Sequence, residues 1–168
     1  MTRHRRSLQR PGPRVRGFTL TELLMVVVVL AVLAVLAAPS FVQMLANSRL
    51  RGQAAEAYSD LQFARSASVE RNVAVTMTFS GTGWEITRPG ASGAVVMKSV
   101  TLSDGVSITS GTGMTVVFNP VRAMATVSNG PAVLERSGAS GTVRVNVNAM
   151  GRPEICTNSG TLSGYPAC

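Results

Sequence analysis

The chain has 168 residues, 45% of them hydrophobic, with two cysteines, one histidine and a formal net charge of +8. Six of the 16 basic residues precede Phe18, which leaves 10 basic against 8 acidic residues, or +2, for everything after it. The alkaline balance is therefore mostly a terminal signal and excludes a strongly basic nucleic-acid-binding body, while about a hundred residues behind an apolar segment suffice for one small domain.

Arg3, Arg5, Arg6, Arg10, Arg14 and Arg16 form the basic flank, followed by Gly17-Phe18-Thr19-Leu20-Thr21-Glu22. An apolar run from Leu23 to Ala38 carries no further charge and ends at Pro39-Ser40-Phe41. A helix needs about 20 apolar residues to cross a bilayer, a length that residues 18–39 supply. The arginine excess marks the preceding side as cytoplasmic, which predicts a single inner-membrane pass with a periplasmic C-terminal domain. A secretory signal peptide or a plain single-pass anchor has the same basic-then-apolar order. Glu22 at the start of the apolar region, the lack of an A-x-A site and Pro39 just beyond it argue against the signal peptide.

From residue 40 to 72 the pattern is amphipathic. Leu50, Ala54, Ala57, Leu61, Ala64 and Ala67 recur at steps of three or four, with Arg51, Glu56, Asp60 and Arg65 elsewhere on the helix. Tyr58 and Phe63 are expected at the edges of the packed face, and Pro39 and Gly52 mark a bend or a loose turn.

At Val73 the period becomes two. Val73, Val75, Met77 and Phe79 alternate with polar or small residues, and Ser80-Gly81-Thr82-Gly83 turns the chain into Trp84-Glu85-Ile86-Thr87, a hairpin. Further strands are predicted over 95–102, 106–109, 114–118, 123–127, 132–135 and 142–148. The last has Val143, Val145 and Val147 on one face and Arg144, Asn146 and Asn148 on the other. Ser-Gly-Thr recurs at 80, 110, 140 and 159 without matching flanks; the alternatives are one reused turn composition and an internal repeat. The fold class is α+β: a long N-terminal helix, half membrane-spanning and half amphipathic, packed on an antiparallel β domain over 73–168.

Cys156 and Cys168 lie in the exported part and are expected to form a disulfide closing the tail loop 157–167. Their spacing is not a redox motif, and the one histidine, His4, lies in the basic leader, so no metal or cofactor is expected. No catalytic constellation is present either: there is no Walker loop, no G-x-S-x-G and no carboxylate cluster, which argues against an enzyme.

Gly17-Phe18-Thr19-Leu20-Thr21-Glu22-Leu23-Leu24 resembles the processing site of type IV prepilins and type II secretion pseudopilins. The resemblance implies a leader of residues 1–17, cut after Gly17 by a prepilin peptidase, and N-methylation of Phe18. It also implies assembly roles for Glu22, at the fifth mature position, and Pro39, at the twenty-second. Such a cut creates an amine at Phe18, and a carboxylate in a low-dielectric bundle is costly unless a cation meets it. The Phe18 amine of the next subunit coming level with Glu22 would set axial register. The alternative for Glu22 is a carboxylate near the bilayer surface, favoured by the helix dipole.

Asn47-Ser48-Arg49-Leu50-Arg51, Leu61-Gln62-Phe63-Ala64-Arg65-Ser66 and Arg71-Asn72, with Phe118-Asn119-Pro120 and Gly151-Arg152-Pro153, resemble the FimT/GspH family. This implies a minor pilin or pseudopilin whose partners are other pilins, in a type II secretion pseudopilus or a type IV pilus. The alternative is a DNA-uptake subunit, since some FimT-like proteins carry a basic G-R-x-R motif. Here that stretch reads Gly151-Arg152-Pro153-Glu154, with an acid in place of the second arginine. Arg144 and Arg152, with Arg122 and Arg136 nearby in sequence, are the candidate DNA contacts, and ordinary solvated arginines are the competing reading.

Overall fold

A computed structural model of the protein describes residues 17–103 and 105–168. The basic leader, apart from Gly17, lies outside the described residues, as does Asp104. The chain divides into two compact units, Met1–Ala38 and Pro39–Cys168. One helix, α1 (Leu20–Arg71), contributes to both, and neither Pro39 nor Gly52 ends it. Pro39 costs the helix one backbone hydrogen bond and Gly52 lowers its propensity by about 1 kcal/mol relative to Ala, yet the helix runs through both.

α1 terminates in a Schellman arrangement. Asn72 takes φ 51°, Asn72 N donates to Val69 O at 3.3 Å, and Val73 N donates to Ser68 O at 3.2 Å. These bonds satisfy two carbonyls that the last turn leaves open, and Asn tolerates the left-handed conformation better than most residues.

In the second unit, Leu50, Ala54, Ala57, Leu61 and Ala64 are fully buried, the stripe that the three-and-four spacing predicts. Two residues of this helix depart from expectation. Asp60, placed on the solvated side by its charge, is only 4% exposed, and Phe63, expected to fill an edge, is 43% exposed. Asp60 goes inward because two donors from the sheet meet it: Trp84 Nε1 at 2.8 Å and Lys98 Nζ at 2.6 Å. A buried carboxylate is tolerated when its lone pairs are met in this way. Phe63 is one step from the buried Ala64, a rotation of about 100° on the helix, which takes it off the packed stripe.

Among the described residues, nine strands follow the helix and form two antiparallel sheets. The first contains β1 (Val75–Ser80), β2 (Gly83–Gly90), β3 (Gly93–Thr101), β5 (Thr115–Phe118) and β6 (Ala125–Ser128) in the order β3-β2-β1-β5-β6. The second contains β4 (Val106–Ser110), β7 (Ala132–Arg136), β8 (Gly141–Val147) and β9 (Pro153–Gly160) in the order β4-β7-β8-β9. Hairpins account for most pairings, but β1 with β5 and β4 with β7 join strands distant in sequence. β4 leaves the first sheet for the second, and β5 returns. Val75, Met77, Phe79, Ile86, Val116 and Phe118 from the first sheet share one core with Leu134, Val143 and Val145 from the second and with the alanine face of α1.

β9 occupies a stretch expected to be turn and tail loop. Its sequence, Pro-Glu-Ile-Cys-Thr-Asn-Ser-Gly, lacks alternation and begins with a proline, which is acceptable as the first residue of a strand. Pairing supplies what propensity does not: Val147↔Pro153 through Gly141↔Gly160 aligns it with β8.

Cys156 and Cys168 are disulfide-bonded, with Cα atoms 5.0 Å apart. The tail they close lies along β9, where Thr157 N donates to Pro166 O at 2.7 Å and Cys168 N donates to Thr157 O at 3.1 Å. The crosslink thus holds a cover over part of an otherwise open sheet edge. Tyr165 docks the same tail on α1 by donating from its hydroxyl to Arg51 O at 3.4 Å. Burial pushes the Tyr165 pKa above the usual tyrosine value, and the nearby Arg51 charge pulls it the other way. For an acid with a raised folded pKa, the contribution is complete below the ordinary value of about 10 and is lost as pH climbs through the folded value. Cys156→Ser should lower stability by about 2–4 kcal/mol. Thermal melts of wild type with and without reductant, beside the variant, check this; three identical melting temperatures would show that the crosslink contributes nothing.

Candidate functional site

At the start of the described chain, Gly17, Phe18 and Thr19 precede the helix, and all three are exposed. Thr19 acts as N-cap: its Oγ1 accepts from Glu22 N at 3.2 Å, and its carbonyl accepts the helix bond from Leu23 N at 3.1 Å. The Thr-x-x-Glu spacing of Thr19 and Glu22, that of a capping box, is the local signal for this cap. The cap fixes Glu22 in the first turn, where the positive end of the helix dipole favours a carboxylate. Glu22 is exposed and has no ion-pair partner among the described residues. The exposed carboxylate thus lies four residues from the exposed Phe18 at the same end of the helix.

Behind it, Leu23 to Ala38 is exposed throughout, and an 18-residue apolar window of α1 has none of its residues buried. This helix is long and apolar enough to cross a membrane. Apolar residues on every face of a helix mean lipid or other apolar helices as surroundings, since water alone would leave about 25 cal/mol unrecovered for each Å² exposed.

The arginines named from the sequence lie in different settings. Arg144, on β8, donates from Nη2 to Asn158 Oδ1. Arg136 is engaged as well. Arg122 is exposed on the β5–β6 loop. Arg152 is exposed at the end of a turn in which Asn148 Oδ1 accepts from both Met150 N and Arg152 N at 3.0 Å. Its side chain lines a groove with Arg65 of α1, a partner that the sequence did not suggest. Glu154, which replaces the second arginine of the basic motif, accepts from Asn148 Nδ2 at 3.0 Å.

A family model described as type II transport protein GspH matches residues 53–151, and a model of the prokaryotic N-terminal methylation motif matches residues 12–38. No curated protein and no solved structure matches the chain. The first match begins in the amphipathic part of α1 and ends at Gly151, spanning both sheets up to the end of β8; the second covers Gly17, Phe18 and Glu22 and stops where the first unit ends. With 99 of 168 residues inside the first match and the apolar, carboxylate-bearing helix inside the second, the chain belongs to the GspH family of type II transport proteins.

Proposed function

We propose that the protein is a minor pilin-type subunit, cut after Gly17, methylated at Phe18 and drawn from the inner membrane into a filament through its apolar helix. The observation that carries this reading is the combination at one helix end: a capped first turn presenting Glu22, a neighbouring Phe18, and an apolar run with no residue buried in its own chain. In a bundle of parallel helices, the Phe18 amine of the next subunit would neutralise Glu22, and Pro39 would close the lipid-length segment. The domain from residue 73 would stand on the periplasmic side, joined through 40–72 to the membrane segment 18–39. Partners are then sister pilins and, during processing, a prepilin peptidase. The GspH match favours a secretion pseudopilus over a type IV pilus as the machine. A role in DNA uptake has less support, because Arg144 is already bonded to Asn158 and Glu154 sits two residues from Arg152. Intact-mass measurement on protein taken from its native membrane tests the reading. The expected mass corresponds to a chain beginning at Phe18 with one added methyl group; a chain retaining Met1, or one beginning beyond Pro39, would overturn it.

A further inference from the structure

An open groove of about 1150 Å³ runs along the solvent side of α1 in the second unit, with Tyr58, Phe63, Arg65 and Val69 on one side and Ala123 and Arg152 on the other. Several features mark it as built. Arg65 Nε donates to Ala123 O at 3.2 Å, which ties the helix to the β5–β6 loop and leaves the rest of its guanidinium donors for other partners. Gly151 is buried behind this bond at φ 72°, and a Cβ there would come within 2.3 Å of Ala123 O and 3.2 Å of Arg65 Nε. Ala123 itself holds φ 51°, a left-handed conformation that costs a residue bearing a β-carbon about 1–2 kcal/mol. The loop is pinned there by Ala123 N to Asn119 O and Asn119 N to Met124 O, both at 2.9 Å.

The lining also has a definite chemistry. Phe63 and Val69 present apolar surface that the domain does not cover, and the lining carries two guanidiniums, of Arg65 and Arg152, against one carboxylate, Glu70. No hydrogen bond or ion pair among the described residues engages the Arg152 side chain. An anchored arginine beside a free one matches a carboxylate, which accepts two or more charge-assisted hydrogen bonds. A polyphosphate chain fits less well, since Glu70 and the neighbouring Glu154 would repel each successive phosphate while two cations attract.

We propose that this groove docks an extended polypeptide segment of a partner protein, one that presents a carboxylate to Arg65 and Arg152 and an adjacent aromatic or aliphatic side chain to Phe63 and Val69. The proposal goes beyond the assembly reading: every residue it uses lies in Pro39–Cys168, and it holds whether or not Glu22 sets filament register.

The test uses the full chain in detergent micelles and three fluorescent probes: a blocked peptide with a single aspartate flanked by leucine and serine, the same peptide with asparagine for aspartate, and oligothymidylate. The acidic peptide should bind saturably, and the asparagine peptide at least about tenfold more weakly. Arg152→Glu, an exposed change expected to leave the melting temperature unaltered, should weaken acidic-peptide binding at least about tenfold. Phe63→Ser should weaken it as well, while Arg88→Glu, on the β2–β3 hairpin, should leave it unchanged. Absent or unsaturable binding, equal affinity for the asparagine peptide, or insensitivity to Arg152→Glu would overturn the proposal. A preference for oligothymidylate would overturn it too and make the groove a nucleic-acid site.

Discussion

Glu22→Ala is expected to lose its leader as the native chain does and yet be depleted at least about tenfold from sheared filaments. On the proposed processing, leader removal would act at the Gly17–Phe18 bond, four residues from the Glu22 side chain, and the Glu22 backbone N–H stays on the Thr19 cap whatever its side chain. Assembly is different. Two unit charges about 4 Å apart, at an effective dielectric of about 20, interact by roughly 4 kcal/mol, equivalent to nearly three orders of magnitude in each contact equilibrium. On the proposed pairing, removing the carboxylate would forfeit that attraction and leave the next subunit's amine unpaired among apolar helices, where an isolated charge is costly. Glu22→Gln, with the same shape and no charge, should resemble alanine if charge is what matters. Immunoblots of sheared filaments and of membranes distinguish the outcomes: a cleaved chain at native filament levels would remove the register role, and an uncleaved chain would show that Glu22 serves the peptidase.

Asp60→Ala is expected to cost about 2–3 kcal/mol of domain stability, a large loss for one helix residue of a polar type. Asp60 Oδ2 accepts from Trp84 Nε1, and Oδ1 accepts from Lys98 Nζ, which also reaches Glu56 Oε1 at 3.9 Å. Trp84 is 2% exposed and tilted against Phe79, with ring centroids 5.8 Å apart, so its indole N–H has no water to turn to once the carboxylate is gone. A stranded buried donor costs about 1–3 kcal/mol. The Lys98 ammonium is half-exposed and keeps Glu56, so its share of the loss is small. Asp60→Asn retains an acceptor for Trp84 and should cost about half as much. Chemical denaturation of the three chains checks the order; an alanine variant as stable as wild type would show that the indole finds another acceptor.

Legibility followed the range of the interactions. The apolar stripe Leu50–Ala54–Ala57–Leu61–Ala64 could be read directly because a helix converts sequence spacing into a face with no help from elsewhere. β8 was legible for the same reason, since Val143, Val145 and Val147 alternate and only one face of that strand is buried. Asp60 was misplaced because charge is a rule about solitary residues, and its partners on β2 and β3 are 24 and 38 residues away. β9 was missed because its strand character comes from its ladder with β8, not from its own composition. The groove was not legible at all: Arg65 and Ala123 are 58 residues apart, and the left-handed turn at Ala123 has no glycine to announce it.

By itself, the sequence determined the order of elements as far as β8, the apolar helix with its carboxylate, the core face of α1 and the cysteine pair, because periodicity, charge and chain proximity act over a few residues. Only the tertiary structure decided that β4 crosses to a second sheet while β5 returns to pair with β1, that Asp60 turns inward, and that Arg152 lines a groove with Arg65 rather than with Arg144. Those choices depend on which distant backbone and side-chain groups satisfy one another when two sheets and a helix close on one core, and no local pattern specifies that competition.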